Sequence, residues 1–132
     1  MGKDIALIVD DNEVNRKLLG YVLEAGGFEV RMAGTADEAL RVLATARPRV
    51  VLMDIQLPGT SGLDLTRRLK ADPALRDIVI IAVTSYAMTG DEQKALAAGC
   101  DGYLSKPIDV TTFVHDVQDM IAATPRKVPP AA

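Results

Sequence analysis

Ile5-Ala6-Leu7-Ile8-Val9-Asp10-Asp11-Asn12 passes from five apolar residues to three polar ones without transition. A strand solvated on one face alternates apolar with polar residues, whereas an unbroken β-branched run is what a strand covered on both faces requires. Two later stretches have the same form: Val50-Val51-Leu52-Met53 stops at Asp54, and Ile78 to Val83 stops at Thr84-Ser85. Phe28 to Met32 instead sets Phe28, Val30 and Met32 against Glu29 and Arg31, the pattern of a strand with one wet face. Gly102-Tyr103-Leu104 reads as a short fifth strand.

Helical periodicity fills the intervals. Val14, Leu18, Leu19, Val22 and Leu23 recur on one face up to Gly26-Gly27. Thr35 with Glu38 forms a capping box ahead of Ala36, Ala39, Leu40 and Leu43, a helix that ends before Pro48. Leu65 and Leu69 mark a third helix closed by Asp72-Pro73, and Thr89 with Glu92 caps a fourth that ends at Gly99. Asp109 is placed to cap a fifth, with Phe113, Val114, Val117, Met120 and Ile121 on its apolar side.

Five strand-helix units in alternation imply a parallel sheet with helices on both faces, and right-handed crossovers leave few topologies. The predicted fold is α/β: a flavodoxin-like, doubly wound five-stranded parallel sheet with five helices and strand order 2-1-3-4-5. That order buries the three unbroken runs and leaves the alternating strand at an edge. Residues 1–123 form one domain in this reading, and the proline-rich stretch 124–132 is an unpacked tail.

Composition narrows the function. The 132 residues are 48% hydrophobic and 25% charged with net charge −3, which excludes disorder as the main state. Lys and Arg are scattered among acidic residues, so the basic stripe needed for a phosphate backbone is missing and nucleic acid is not an expected partner. No apolar run reaches membrane-span length and the start is too short and too soon acidic for a signal peptide, so a cytoplasmic protein without membrane insertion is expected. A single cysteine and a single histidine exclude thiolate zinc chemistry. Cys100 reads as a small buried apolar residue and His115 as a solvated one.

The residues that terminate the strands carry the chemistry. Asp10 and Asp11, Asp54, Thr84 and Lys106 should meet at the carboxyl edge of the sheet, where such folds open their ligand crevice. Three carboxylates about 5 Å apart repel by roughly 3 kcal/mol per pair at an effective dielectric of about 20. Lys106 supplies one opposing charge. The remaining deficit of two suits a hard, oxygen-seeking divalent ion such as Mg²⁺. Mg²⁺ and a lysine could together neutralise a transferring phosphoryl group while a carboxylate attacks it in line.

At these residues the sequence resembles the receiver domain of bacterial response regulators over about 1–123. The matching segments are Val9-Asp10-Asp11-Asn12, Leu52-Met53-Asp54-Ile55-Gln56-Leu57-Pro58 with Gly62, Val83-Thr84-Ser85, and Ser105-Lys106-Pro107. The segment from Val83 to Glu92 and Gly99-Cys100 look most like the single-domain cell-division regulators of the DivK type. The resemblance implies that Asp54 is the phosphoacceptor and that Asp10, Asp11 and Asp54 hold Mg²⁺ with the backbone carbonyl of Gln56. It implies that Thr84 bonds the phosphoryl group, that Lys106 pairs with it, that Tyr103 changes rotamer on activation and that Pro107 follows a cis peptide. The implied partners are a sensor histidine kinase or histidine phosphotransfer protein, and a downstream protein on the face of the fourth helix, fifth strand and fifth helix. Such a chain is a signalling protein rather than an enzyme, though it assists its own phosphorylation and dephosphorylation.

Blander readings stand beside these. Asp-Asp-Asn after a strand commonly just caps a helix, Thr84 can bond its own backbone, and Tyr103 can be a static half-buried aromatic. A receiver excised from a hybrid kinase or longer regulator is one alternative. A flavin or nucleotide binder is another, but Asp10-Asp11-Asn12-Glu13 would repel a phosphate that such a loop must cradle.

Overall fold

Five parallel strands pair in the order β2-β1-β3-β4-β5. The computed structural model describes residues 3–57, 59–84, 91–106 and 108–124. In chain order these form β1 (Ile5–Val9), α1 (Glu13–Ala25), β2 (Glu29–Ala33), α2 (Ala36–Thr45), β3 (Val50–Asp54), α3 (Gly62–Ala71), β4 (Val79–Thr84), α4 (Asp91–Ala98), β5 (Gly102–Ser105) and α5 (Phe113–Ala123). The sequence-derived order and the five strand-helix units are both observed. Thr89, the tail residues 125–132 and Pro107 lie outside the described residues. Among the described residues no helix is long and apolar enough to cross a membrane.

Two apolar layers sandwich the sheet. Leu7, Val9, Val51, Met53, Ile80 and Ala82 project to one side, against Ala39 and Leu43 of α2, Leu65 and Leu69 of α3 and Ala95 of α4. Ala6, Ile8, Leu52, Val79, Ile81 and Val83 project to the other, against Leu19 and Leu23 of α1 and Phe113 and Val117 of α5. Successive residues of one strand thus serve opposite layers, which is why β1, β3 and β4 cannot afford a polar residue before their ends.

Boundaries differ from expectation in instructive ways. β3 and β4 run one residue further than their apolar stretches, because Asp54 and Thr84 remain in register opposite Val83 and Ser105. A ladder pairs backbones, and a polar side chain at the rim does not interrupt it. β2 begins at Glu29; Phe28 is buried in the turn out of α1, its N–H donating to the Leu23 carbonyl at 3.0 Å. The capping box of α2 is offset: Glu38 N–H donates to Thr35 Oγ1 at 3.1 Å, but Glu38 Oε1 accepts from Gly34 N–H at 2.8 Å rather than from Thr35. Asp109 does not cap α5. Its carboxylate accepts from the N–H and hydroxyl of Thr111 at 2.9 and 2.6 Å, closing a turn ahead of the helix, whose N-cap is Thr112.

Candidate phosphoacceptor site

Sheet register assembles the site. Val9 pairs with Met53, so the next residues along each strand, Asp10 and Asp54, reach the rim at the same level. Thr84 pairs with Ser105, and the N–H of Lys106 donates to the Thr84 carbonyl at 2.7 Å, bringing the lysine onto that rim from β5. Asp10, Asp54 and Thr84 are buried, at 2%, 5% and 0% exposure, while Asp11 is exposed. One carboxylate oxygen from each of Asp10, Asp11 and Asp54 lies within 4.8 Å of the others. Asp10, Asp11, Asp54 and Lys106 thus meet at one rim, and Thr84 ends the neighbouring strand there through its backbone pairing.

Each buried carboxylate is held by a short-range turn and shares one cation. Asp10 Oδ1 accepts from Asn12 N–H and Asp54 Oδ1 from Gln56 N–H, both at 2.8 Å. These are side-chain turns two residues long, which fix a carboxylate against its own loop. Lys106 Nζ lies 2.9 Å from Asp10 Oδ2 and 3.7 Å from Asp54 Oδ2. Asp54 is thus the less neutralised of the two. Burial pushes its carboxyl above the usual range; the Gln56 N–H and Lys106 pull it down, and the charges of Asp10 and Asp11 push it up again.

Close packing of α3 fixes the Asp54 backbone. A Cβ on Gly62 would lie 2.1 Å from the Asp54 carbonyl oxygen, so only glycine lets the first turn of α3 approach, and Gly62 N–H donates to Ile55 O at 3.3 Å. Tyr103 is half-buried on β5 and packs against the α2–α3–α4 layer. Away from the rim, Cys100 is buried, which pushes its thiol up, and His115 is exposed.

Two features escaped the sequence. Arg16 Nη1 donates to the Asp10 carbonyl at 2.7 Å, bringing a second cation to the acidic loop; the unbalanced charge at the site was the available hint. Lys70 Nζ donates to Asp101 Oδ2 at 2.8 Å and to the carbonyls of Arg76 and Ile78 at 3.0 and 2.9 Å, tying α3 to the far end of the sheet. Nothing in the spacing of Lys70 and Asp101 announces that pair.

A parallel sheet in this order, with three carboxylates and a lysine on its carboxyl rim, defines a receiver-type fold. The response regulator receiver domain family matches residues 6–118, and the chain belongs to that family. It is 45% identical over 115 residues to the polar-differentiation response regulator DivK of Brucella anthropi, covering 87% of this chain and 94% of that protein. The DivK of Brucella abortus strain 2308 is 44% identical over the same shares. Among solved structures, the receiver domain of a sensor histidine kinase from Pseudomonas aeruginosa, with magnesium ion coordinated in its active site cleft, has TM-score 0.82 and 32% identity over 93% of this chain and 100% of that one. A CheY-like receiver domain protein from Methanospirillum hungatei has TM-score 0.84 and 28% identity over 93% and 97%.

Proposed function

We propose that this chain is a phosphoryl-accepting switch in which Asp54 receives a phosphoryl group from a phosphohistidine of a sensor kinase or histidine phosphotransfer protein. The observation that carries the reading is the placement of Asp54 at the rim, beside Lys106 and within 4.8 Å of two further carboxylates. An all-oxygen set of three carboxylates fits a hard divalent ion, so Asp10, Asp11 and Asp54, with the Gln56 carbonyl, would hold Mg²⁺, which supplies charge neutralisation for phosphoryl oxygens when bound. A carboxylate oxygen of Asp54 attacks phosphorus, the P–N bond breaks, and its electron pair returns to the imidazole. Lys106 stands within reach of the incoming phosphoryl oxygens, and the Thr84 hydroxyl bonds one of them.

The same reading assigns output to the face of α4, β5 and α5. Thr84 moving toward the phosphoryl group vacates space into which Tyr103 turns, and the two populations then present different surfaces. Input has support of its own: Val14, Leu18 and Tyr21 stand 74%, 47% and 76% exposed at i, i+4 and i+7 of α1, an apolar stripe on the helix that follows the acidic loop. That stripe suits the docking of a histidine-bearing helix.

Incubation with Mg²⁺ and acetyl phosphate followed by intact-mass analysis tests the assignment. One labile phosphoryl group is expected on the parent and none on Asp54→Asn; an equally labelled variant refutes it.

A further inference from the structure

We propose that Arg16 is the positioning residue of the cation-binding loop, holding the Asp10 backbone from α1 so that Asp10 and Asp11 face one ion. The proposal rests on the phosphoacceptor reading and deepens it. Arg16 lies four residues beyond the α1 N-cap, Asn12, and its half-buried side chain turns back over the β1–α1 junction to bond the Asp10 carbonyl. A surface arginine on a helix has no need of that path.

Its seat is built. A Cβ on Gly34 would stand 3.0 Å from Arg16 Nη1 and 3.6 Å from Cζ, so the guanidinium lies close over the Gly34 backbone and a side chain there would press on it. Glu38 Oε1, bonded to Gly34 N–H, stands 3.2 Å from the same point. Asp10 is then fixed at every polar atom: N–H to the Ala33 carbonyl at 3.1 Å, carbonyl from Arg16, Oδ1 from Asn12 and Oδ2 from Lys106. The Asp10 carbonyl and the Asp11 N–H share one planar peptide, so the arginine also sets where the exposed Asp11 starts.

Charge and position predict opposite signs. Removing a cation from beside three carboxylates should tighten binding of a divalent ion. Removing a group that orients its ligands should weaken it, commonly by ten- to a hundredfold. Titration calorimetry with MgCl₂ at neutral pH, with melting temperature recorded alongside, distinguishes them. Arg16→Met is expected to raise the Mg²⁺ Kd about tenfold. Arg16→Lys, which keeps a cationic donor, should stay within about threefold of the parent. Gly34→Ala, which keeps the arginine but crowds its seat, should weaken binding in the same direction as Arg16→Met. An unchanged or lower Kd in Arg16→Met, with or without a lower melting temperature, overturns the proposal, as does an Arg16→Lys variant no better than Arg16→Met. A parent that takes up no Mg²⁺ would sink the phosphoacceptor reading itself, and this inference with it.

Discussion

Asp54 is buried among like charges, and folding therefore opposes its ionisation. Its folded pKa is raised above 3.8, so between that value and the folded one the native state binds the proton more tightly than the unfolded state, and stability falls as pH rises through the window. Asp54→Asn removes the penalty. In EDTA at neutral pH the variant should be more stable than the parent by about 1–2 kcal/mol after solvent and rearrangement reduce the bare Coulomb figure. That advantage should shrink as pH falls through the raised folded pKa and be gone below the ordinary carboxylate value. Urea melts at neutral pH and at about pH 3.5 check both halves; a difference independent of pH, or of opposite sign, contradicts the shared site. Lys106 behaves differently, since at 2.9 Å from Asp10 Oδ2 it stands where an incoming cation would be drawn. Lys106→Met should reduce acetyl phosphate labelling by tenfold or more while leaving Mg²⁺ affinity equal or tighter, because in the proposed function the lysine faces phosphoryl oxygens rather than the ion. Equal loss of both would break that division of roles.

Elements were legible wherever one force dominated. The unbroken runs of β1, β3 and β4 read as central strands and the alternation in β2 as an edge, so burial, together with right-handed crossovers and the flavodoxin-like pattern, picked out the strand order. The strand-end residues were legible because topology sends all parallel carboxyl ends to one rim. Illegible were contacts that depend on where a flexible side chain folds, such as Arg16 on the Asp10 carbonyl or Lys70 on Asp101, since many rotamers are compatible with either sequence position. Asp109 was misread for a related reason: a cap and a short turn use the same Asp side chain, and only the backbone separates them. Thr35, by contrast, caps α2 as its spacing indicated, and Thr35→Ala should cost about 1 kcal/mol in urea denaturation. At the same scale, adding beryllofluoride with Mg²⁺ should move amide resonances of α4, β5 and α5 as well as those of the rim. Shifts confined to the side of α2 would refute the proposed output face.

At the scale of the whole molecule, the proposed cation binding would be linked to folding, because the three carboxylates share a site only in the native chain. β1 and β3 deliver Asp10, Asp11 and Asp54 from positions far apart in sequence, and the unfolded chain keeps those charges separate. Forming the sheet costs their repulsion, with Lys106 and the Arg16 guanidinium as partial offsets. An ion that binds only the folded arrangement returns stability as RT ln(1 + [L]/Kd), about 1.4 kcal/mol at roughly ten times Kd. For a domain of this size that corresponds to a rise of roughly 4–7 °C in melting temperature. Asp54→Asn starts higher in EDTA but has one anionic ligand fewer, so the same Mg²⁺ concentration should raise it less. The two melting temperatures should therefore converge, or cross, as Mg²⁺ is raised from zero through about 10 mM, a range chosen to saturate a weak site. Parallel curves, with parent and variant gaining equally, would mean that Asp54 does not belong to the ion's ligand set. Flat curves for both would mean that the rim, for all its negative charge, is not built to hold a divalent cation.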